Sequence, residues 1–359
     1  MDEGKLVQWH ISLGEDIDVG QEIAEIETSK IAGPVEAAVS GKVRRLIAEE
    51  GDVLPVGALL AVLAEDSQCD EDISAFIAKF QVEDQGDETR EDSSAAKLLS
   101  VTLDDREISY SETMPHDLPP ESVPVILIHG YGGDANNWLF NQGKIGETHR
   151  VIALDLPGHG HSTKTIKQGS IKGLANVVSS FLDALGIEKA HFVGHSMGAA
   201  VAVQYALNHS HRAASLTLIC PALVGRILNS DYINGFMAAR TRKQLKPVLQ
   251  LLFSDEKLVT TELIEDVLKY KRLDGVDDAL KIIAVASLTV EKSVFDANDI
   301  AALDMPISII WGKNDKVICG TGPHIVTGEN VNEYQIENAG HMPHMENSGA
   351  VNKILAQIL

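Results

Sequence analysis

Val193-Gly194-His195-Ser196-Met197-Gly198 follows an apolar run and leads into Ala199-Ala200-Val201-Ala202-Val203, a segment competent to form a helix. The serine sits between glycines in a G-x-S-x-G pattern. Between a strand and a helix this spacing makes a sharp turn that lifts the serine hydroxyl above the sheet edge. Side chains at the two glycines would collide with the turned backbone. Ser196 is therefore the candidate nucleophile. Alone, the pattern also describes a glycine turn carrying an ordinary serine, so the weight falls on its companions.

Outward from the turn, strand-like and helix-like runs alternate. Val101 to Ile108 reads as an opening hairpin, and Val123 to Ile128 as a buried strand ending in His129-Gly130-Tyr131-Gly132-Gly133. Val151 to Asp155 follows, then the turn Leu156-Pro157-Gly158-His159-Gly160, a helix over 171–185, and His191 to Val193. Beyond the turn come a strand over 215–220, a mainly helical stretch over 226–288, and Pro306 to Asp315. Such alternation is the signature of a mostly parallel sheet with helices on both faces.

These features together resemble the α/β-hydrolase fold over residues 98–359, with a helical cap at about 222–300. By that resemblance Asp315, in Trp311-Gly312-Lys313-Asn314-Asp315, is the orienting carboxylate. The Gly340-His341 pair likewise marks His341 as the base and leaves His344 to the following helix. Serine, acid, histidine is the chain order this fold requires. The resemblance further implies that the amides of Tyr131 and Met197 face a developing oxyanion.

The first 65 residues are built differently. Gly14-Glu15 with Val19-Gly20 returns as Gly51-Asp52 with Val56-Gly57 at an offset of 37, which Trp9 and Leu46 keep. Each copy has short β-patterned runs, Ile23 to Ile26 and Leu59 to Leu63, which predicts two matching sheets of a small barrel or sandwich. Between them Glu25-Ile26-Glu27-Thr28-Ser29-Lys30-Ile31 reads as a hairpin with a lysine at its tip. The segment resembles a lipoyl domain, a small all-β fold, and the resemblance implies lipoate covalently attached to Lys30. A biotin carrier would have methionine beside the lysine, where Ser29 and Ile31 stand. Residues 66–97 read as an acidic flexible linker, with Ile73, Phe76, Ile77 and Phe80 at helical spacing.

Charge supports a division of labour. The whole chain carries −22, and residues 1–95 hold 7 Lys/Arg against 23 Asp/Glu. Nucleic acid and anionic membrane are poor partners for such a surface. No run approaches the roughly 18 apolar residues of a membrane span, and the start of the chain is acidic where a signal peptide is basic, so a cytoplasmic protein is expected. Cys69, Cys220 and Cys319 are too few and too scattered for a disulfide framework or a metal clip, so no metal is expected.

A lipoyl domain joined to an α/β-hydrolase domain resembles the dihydrolipoyllysine acetyltransferase components of acetoin dehydrogenase complexes. That resemblance implies acetyl transfer from lipoyl-lysine to coenzyme A through Ser196, His341 and Asp315. It also implies thiamine-dependent dehydrogenase subunits and dihydrolipoamide dehydrogenase as partners, and a homo-oligomer. The competing reading is a serine esterase or thioesterase whose carrier-like domain serves for docking. A basic cluster in the cap, Arg240, Arg242, Lys243 and Lys246, reads either as a contact for nucleotide phosphates or as a solvated helix face.

Overall fold

The structure, a computed structural model, describes residues 3–18, 21–27, 32–37, 40–55, 58–64, 70, 73–74, 76–77, 97–119, 121–288, 294–319 and 326–359. The chain divides into two compact units, Met1–Glu91 and Asp92–Leu359.

The first unit is antiparallel β. Its strands are β1 (Glu3–Trp9), β2 (Asp16–Ile17), β3 (Glu22–Glu27), β4 (Ala32–Glu36), β5 (Gly41–Leu46), β6 (Val53–Pro55) and β7 (Ala61–Ala64). They form one sheet in the order β4-β3-β1-β6 and a second in the order β2-β5-β7. The 37-residue offset maps β1, β2 and β3 onto β5, β6 and β7, so each half of the repeat is one three-strand unit. Gly14 and Gly51, equivalent in the repeat, both take the left-handed conformation (φ 84° and 101°), which suits glycine. Buried aliphatic side chains, among them Ile11, Ile17 and Val43 on one side and Leu6 and Ala24 on the other, make the core. Trp9 packs against both groups, and its indole N–H donates to the Ala48 carbonyl at 3.1 Å. Sequence patterning assigned no strand to the first nine residues. The structure places β1 between β3 and β6, where it pairs with both.

Of the segment expected to be a linker, Asp70, Ile73, Ser74, Phe76 and Ile77 are helical. Asp70 pairs with Arg44 at 3.0 Å and Arg45 at 3.3 Å on β5, and Ile73 is buried. Phe80 and Cys69 lie outside the described residues.

The second unit is an eight-stranded sheet. Its strands are β8 (Lys97–Leu103), β9 (Arg106–Thr113), β10 (Val125–Ile128), β11 (Val151–Leu154), β12 (Ala190–His195), β13 (Ala213–Ile219), β15 (Ile307–Gly312) and β17 (Val331–Ile336). Between them β14 (Ile227–Leu228) and β16 (Ile318–Cys319) pair as a separate two-stranded ribbon. The order is β17-β15-β13-β12-β10-β11-β9-β8, parallel from β17 to β11 and antiparallel at the β9 and β8 edge. Strands β10, β11 and β15 are buried along their whole length, as a sheet covered on both faces demands. Helices Ile171–Ala184 and Met197–Asn208 supply apolar faces to that cover.

The polypeptide between β13 and β15 carries helices Ser230–Ala238, Arg242–Leu249, Thr261–Lys271 and Val276–Ile283. Side-chain caps from Asn229, Thr241 and Thr260 start the first three. Within the basic cluster Arg240 pairs with Asp277 at 2.7 Å and Arg242 with Glu265, while Lys243 and Lys246 are exposed. Half of that cluster is thus engaged with carboxylates of the cap itself. Among the described residues no helix is long and apolar enough to cross a membrane.

Candidate active site

Strand β12 ends at His195, and Ser196 follows with φ 52° and ψ −114°, a left-handed conformation that a non-glycine residue adopts only when its surroundings impose it. The flanking glycines show the reason. A Cβ at Gly194 would stand 2.6 Å from Ala199 Cα, and one at Gly198 would meet the carbonyl oxygens of Ile128 and His129. The helix Met197–Asn208 therefore starts flush against the end of β10, with Ser196 held at its first turn. The Ser196 amide donates to the Ile219 carbonyl at 2.9 Å, tying the turn to β13 as well.

Asp315 leaves β15 and accepts at one carboxylate oxygen from the amides of Val317 (2.8 Å) and Ile318 (2.9 Å). Its other oxygen accepts from His341 Nδ1 at 2.9 Å, and both side chains are 2% exposed. Burial pushes this carboxyl up, but the His341 ring and the hydrogen bonds outweigh it and leave Asp315 below the usual carboxylate range. His341 Nδ1 thus carries the proton in the pair, which leaves Nε2 free to accept one. The Cys220 thiol lies with Asp315 and His341 in a group whose donor atoms are within 4.8 Å of one another. Burial, then the Asp315 charge, pushes that thiol well up, so it stays a neutral neighbour.

His341 is fixed through its backbone. Its amide donates to the Leu252 carbonyl (2.8 Å), and its carbonyl accepts from His195 Nε2 (2.8 Å). Just before it, Gly340 donates to Glu346, which also accepts from Ser254 at 2.6 Å. His344 lies on the short helix Pro343–Glu346, buried between the rings of Trp138 and His195. Burial, with the nearby His341, pushes it down to about 3, so it is neutral.

The loop after β10 holds the other expected participants. Among the described residues, neither the Tyr131 amide nor the Met197 amide donates a hydrogen bond, which leaves both available. Two buried histidines shape this loop. His129 Nδ1 donates to the Gly130 carbonyl (2.7 Å) while its Nε2 accepts from the Leu156 amide (3.0 Å). His159 Nδ1 donates to the Pro157 carbonyl (3.2 Å) and its Nε2 accepts from the Gly132 amide (3.2 Å). Each tautomer follows from its partners, since a carbonyl accepts only and an amide N–H donates only. Burial, then the His129 ring, holds His159 well below its usual value, so it is neutral. The Tyr131 side chain reaches into the cap, where its hydroxyl donates to the Leu280 carbonyl at 3.1 Å. The sequence reading found none of His129, His159, His195 or Glu346, because each acts on backbone groups brought to it by folding. The only signal for His159 was its place in a glycine turn.

Ser196 and His341 line one cavity of about 110 Å³ with Tyr131, Tyr232, Phe236, Leu249, Leu263 and Val267. Among the described residues its lining holds no Lys, Arg, Asp or Glu. Ser196, Asp315, His341 and Tyr131 are thus brought to one place in the second unit. Lys30 lies outside the described residues; the Glu27↔Ala32 pairing of β3 with β4 leaves 28–31 as the connection that contains it.

Comparison with known proteins agrees with both units. The family described as alpha/beta hydrolase fold matches residues 123–348, and the family described as biotin-requiring enzyme matches residues 1–63. Over 100% of its length the chain is 38% identical to a dihydrolipoyllysine-residue acetyltransferase component of an acetoin cleaving system from Pseudomonas putida, covering 95% of that protein. A relative of the same description from Cupriavidus necator is 37% identical, with 100% and 94% covered. Among solved structures, a variant of the meta-cleavage product hydrolase from Pseudomonas fluorescens IP01 superposes with a TM-score of 0.62 at 22% identity, covering 72% of this chain and 96% of that one, which speaks to the fold.

Proposed function

The chain belongs to the α/β-hydrolase fold family and, over its whole length, to the dihydrolipoyllysine-residue acetyltransferase components of acetoin cleaving systems, and from this we infer an acyltransferase that moves an acetyl group from lipoyl-lysine to coenzyme A. It works as one component of a multienzyme complex. The observation that carries the chemistry is the buried Asp315–His341 hydrogen bond beside the cavity that Ser196 also lines.

Ser196 attacks the acyl carbon, and its hydroxyl proton passes to His341 Nε2. Asp315 holds the ring in the tautomer that can accept that proton and stabilises the resulting imidazolium. The amides of Tyr131 and Met197 take the charge that develops on the acyl oxygen; one such donor is worth about 3 kcal/mol in the transition state. His341 then gives its proton to the leaving sulfur. In the second half-reaction the thiol of coenzyme A gives its proton to His341, its sulfur bonds to the acyl carbon, and Ser196 Oγ departs and regains a proton. Lys30 would hold the lipoyl group, which in its dihydro form would supply the acyl group as a thioester. A lysine between two paired strands of the first unit fits that attachment. The partners in this reading are thiamine-dependent dehydrogenase subunits and dihydrolipoamide dehydrogenase, the chain self-associates, and the complex is cytoplasmic.

The test is product formation from acetyl-dihydrolipoamide, with and without coenzyme A, by the wild type and Ser196→Ala. Acetyl-coenzyme A is expected from the wild type only, with a loss of at least about 1,000-fold in the variant. Free acetate at a rate indifferent to coenzyme A would identify a thioesterase instead.

A further inference from the structure

We propose that β8, the edge strand that opens the second unit, is the seam through which two copies of this chain join into one continuous sheet, about a twofold axis at Ser100. It rests on the self-association already proposed and names its surface. Backbone bonding on β9 decides which groups of β8 face outward. Glu107 and Ser109 turn away from β8: their carbonyls accept from the Thr163 and Asp155 amides at 2.9 Å, and their amides donate to the Thr163 and Ser162 hydroxyls at 2.8 Å. The β9 residues that bond β8 are therefore Arg106, Ile108, Tyr110 and Glu112, opposite Leu103, Val101, Leu99 and Lys97. Alternate residues of an antiparallel strand bond to opposite sides, so the amides and carbonyls of Leu98, Ser100 and Thr102 face out of the sheet. Among the described residues β8 pairs with β9 alone, and none of these outward groups has a partner.

A row of unpaired backbone groups invites another strand, and natural edges are blunted by proline, charge or a bulge. Strand β8 has no proline, runs in unbroken register with β9 and carries one charge, at its first residue. Its Leu98 is 59% exposed and its Leu99 36%. The opposite edge, β17, is polar by contrast, with Asn332, Glu333 and Gln335. The strand is also complementary to itself. Turned antiparallel about Ser100, two copies set Ser100 opposite Ser100 and Leu98 opposite Thr102, facing pairs that exchange about six backbone hydrogen bonds. Leu99 of each copy then stands opposite Val101 of the other, an apolar cross-strand contact made at both symmetry-related places. Lys97 falls opposite Leu103, beside the exposed acidic turn Asp104-Asp105 of the other copy, so opposite charges meet at both ends.

The experiment uses the full chain with Cys69→Ser and Cys319→Ser, and measures particle mass by sedimentation and crosslinking by mild oxidation. Ser100→Pro takes away an outward amide and leaves the bonds to β9 in place. Its particle mass should fall to about half that of the parent, since a twofold seam is lost from both copies at once. Turnover of p-nitrophenyl acetate should stay within about 2-fold, which shows that the variant is folded. Thr102→Lys reads out the same edge should the proline variant not fold. Ser100→Cys should form a disulfide dimer, because facing Cα atoms of a hydrogen-bonded pair stand about 5.5 Å apart, within disulfide reach. Thr102→Cys should not, because its two copies lie roughly 13 Å apart along the strand. A mass unchanged in both edge variants, or crosslinking at Thr102→Cys as strong as at Ser100→Cys, overturns the seam and leaves self-association to another face. A parent chain that sediments as a monomer overturns self-association itself.

Discussion

A neutral imidazole can both give and take a hydrogen bond, and the loop that carries Tyr131 depends on two that do so. His159 accepts the Gly132 amide at Nε2 only while unprotonated; a proton there would face the amide N–H donor. His159→Phe removes the acceptor, whereas the amide of His159→Gln offers both an acceptor and a donor. Acylation of Ser196 by p-nitrophenyl acetate should slow by between about 10-fold and 100-fold in the phenylalanine variant, in kcat rather than KM. The glutamine variant should recover part of that loss, and stopped-flow kinetics on both decides it. Equal losses in the two variants would reduce His159 to a packing role. At this scale Ser196, Asp315 and His341, the residues proposed as nucleophile, acid and base, were legible because each falls at the end of a recognisable strand or turn. His129 and His159 were not, since each takes its second partner, the Leu156 amide or the Gly132 amide, from 27 residues away, across a gap that only folding closes.

Among the elements, the elbow and the helices answer the same substitution with opposite signs. Gly198→Ala sets a methyl group against the Ile128 and His129 carbonyls, backbone that cannot step aside. A cost of about 3 kcal/mol is expected, with loss of activity. Gly143, inside the helix Leu139–Gly146, has nothing within 4 Å of where its Cβ would be. Gly143→Ala should instead stabilise by about 0.5–1 kcal/mol through helix propensity and reduced freedom of the unfolded chain. Thermal and denaturant unfolding of the pair measures both signs; a stabilised Gly198→Ala would contradict the packing described at the elbow. Strands with continuous apolar runs, such as β10 and β15, were readable from sequence. Edge strand β17, Val331-Asn332-Glu333-Tyr334-Gln335-Ile336, was not, because its half-exposed positions leave too few apolar residues to make a pattern.

Across the whole molecule the two units have separate hydrophobic cores, one of aliphatic side chains in short antiparallel strands and one around the eight-stranded sheet. Changes at the proposed carrier lysine should therefore leave the second unit's chemistry intact. Lys30→Arg is expected to abolish acetyl-coenzyme A formation by the assembled complex while Ser196-dependent turnover of p-nitrophenyl acetate stays within about 2-fold of the wild type, since the two residues belong to separate units, each with its own hydrophobic core. Parallel assays of both reactions test this, and a matching fall in ester turnover would show that the units are coupled. The sequence by itself determined the two-part build, the glycine-flanked serine turn, the order of serine, aspartate and histidine, and the lysine between β-patterned runs. Each of these is written in local spacing, through glycines that a turn requires, periodic apolar residues, and a repeat of 37. Only the tertiary structure decided the Asp315–His341 contact distance, the tautomers of the buried histidines and the lining of the cavity. Those depend on which surfaces meet when β10, β12, β15 and the cap pack, and residues far apart in sequence carry no local signal of that meeting.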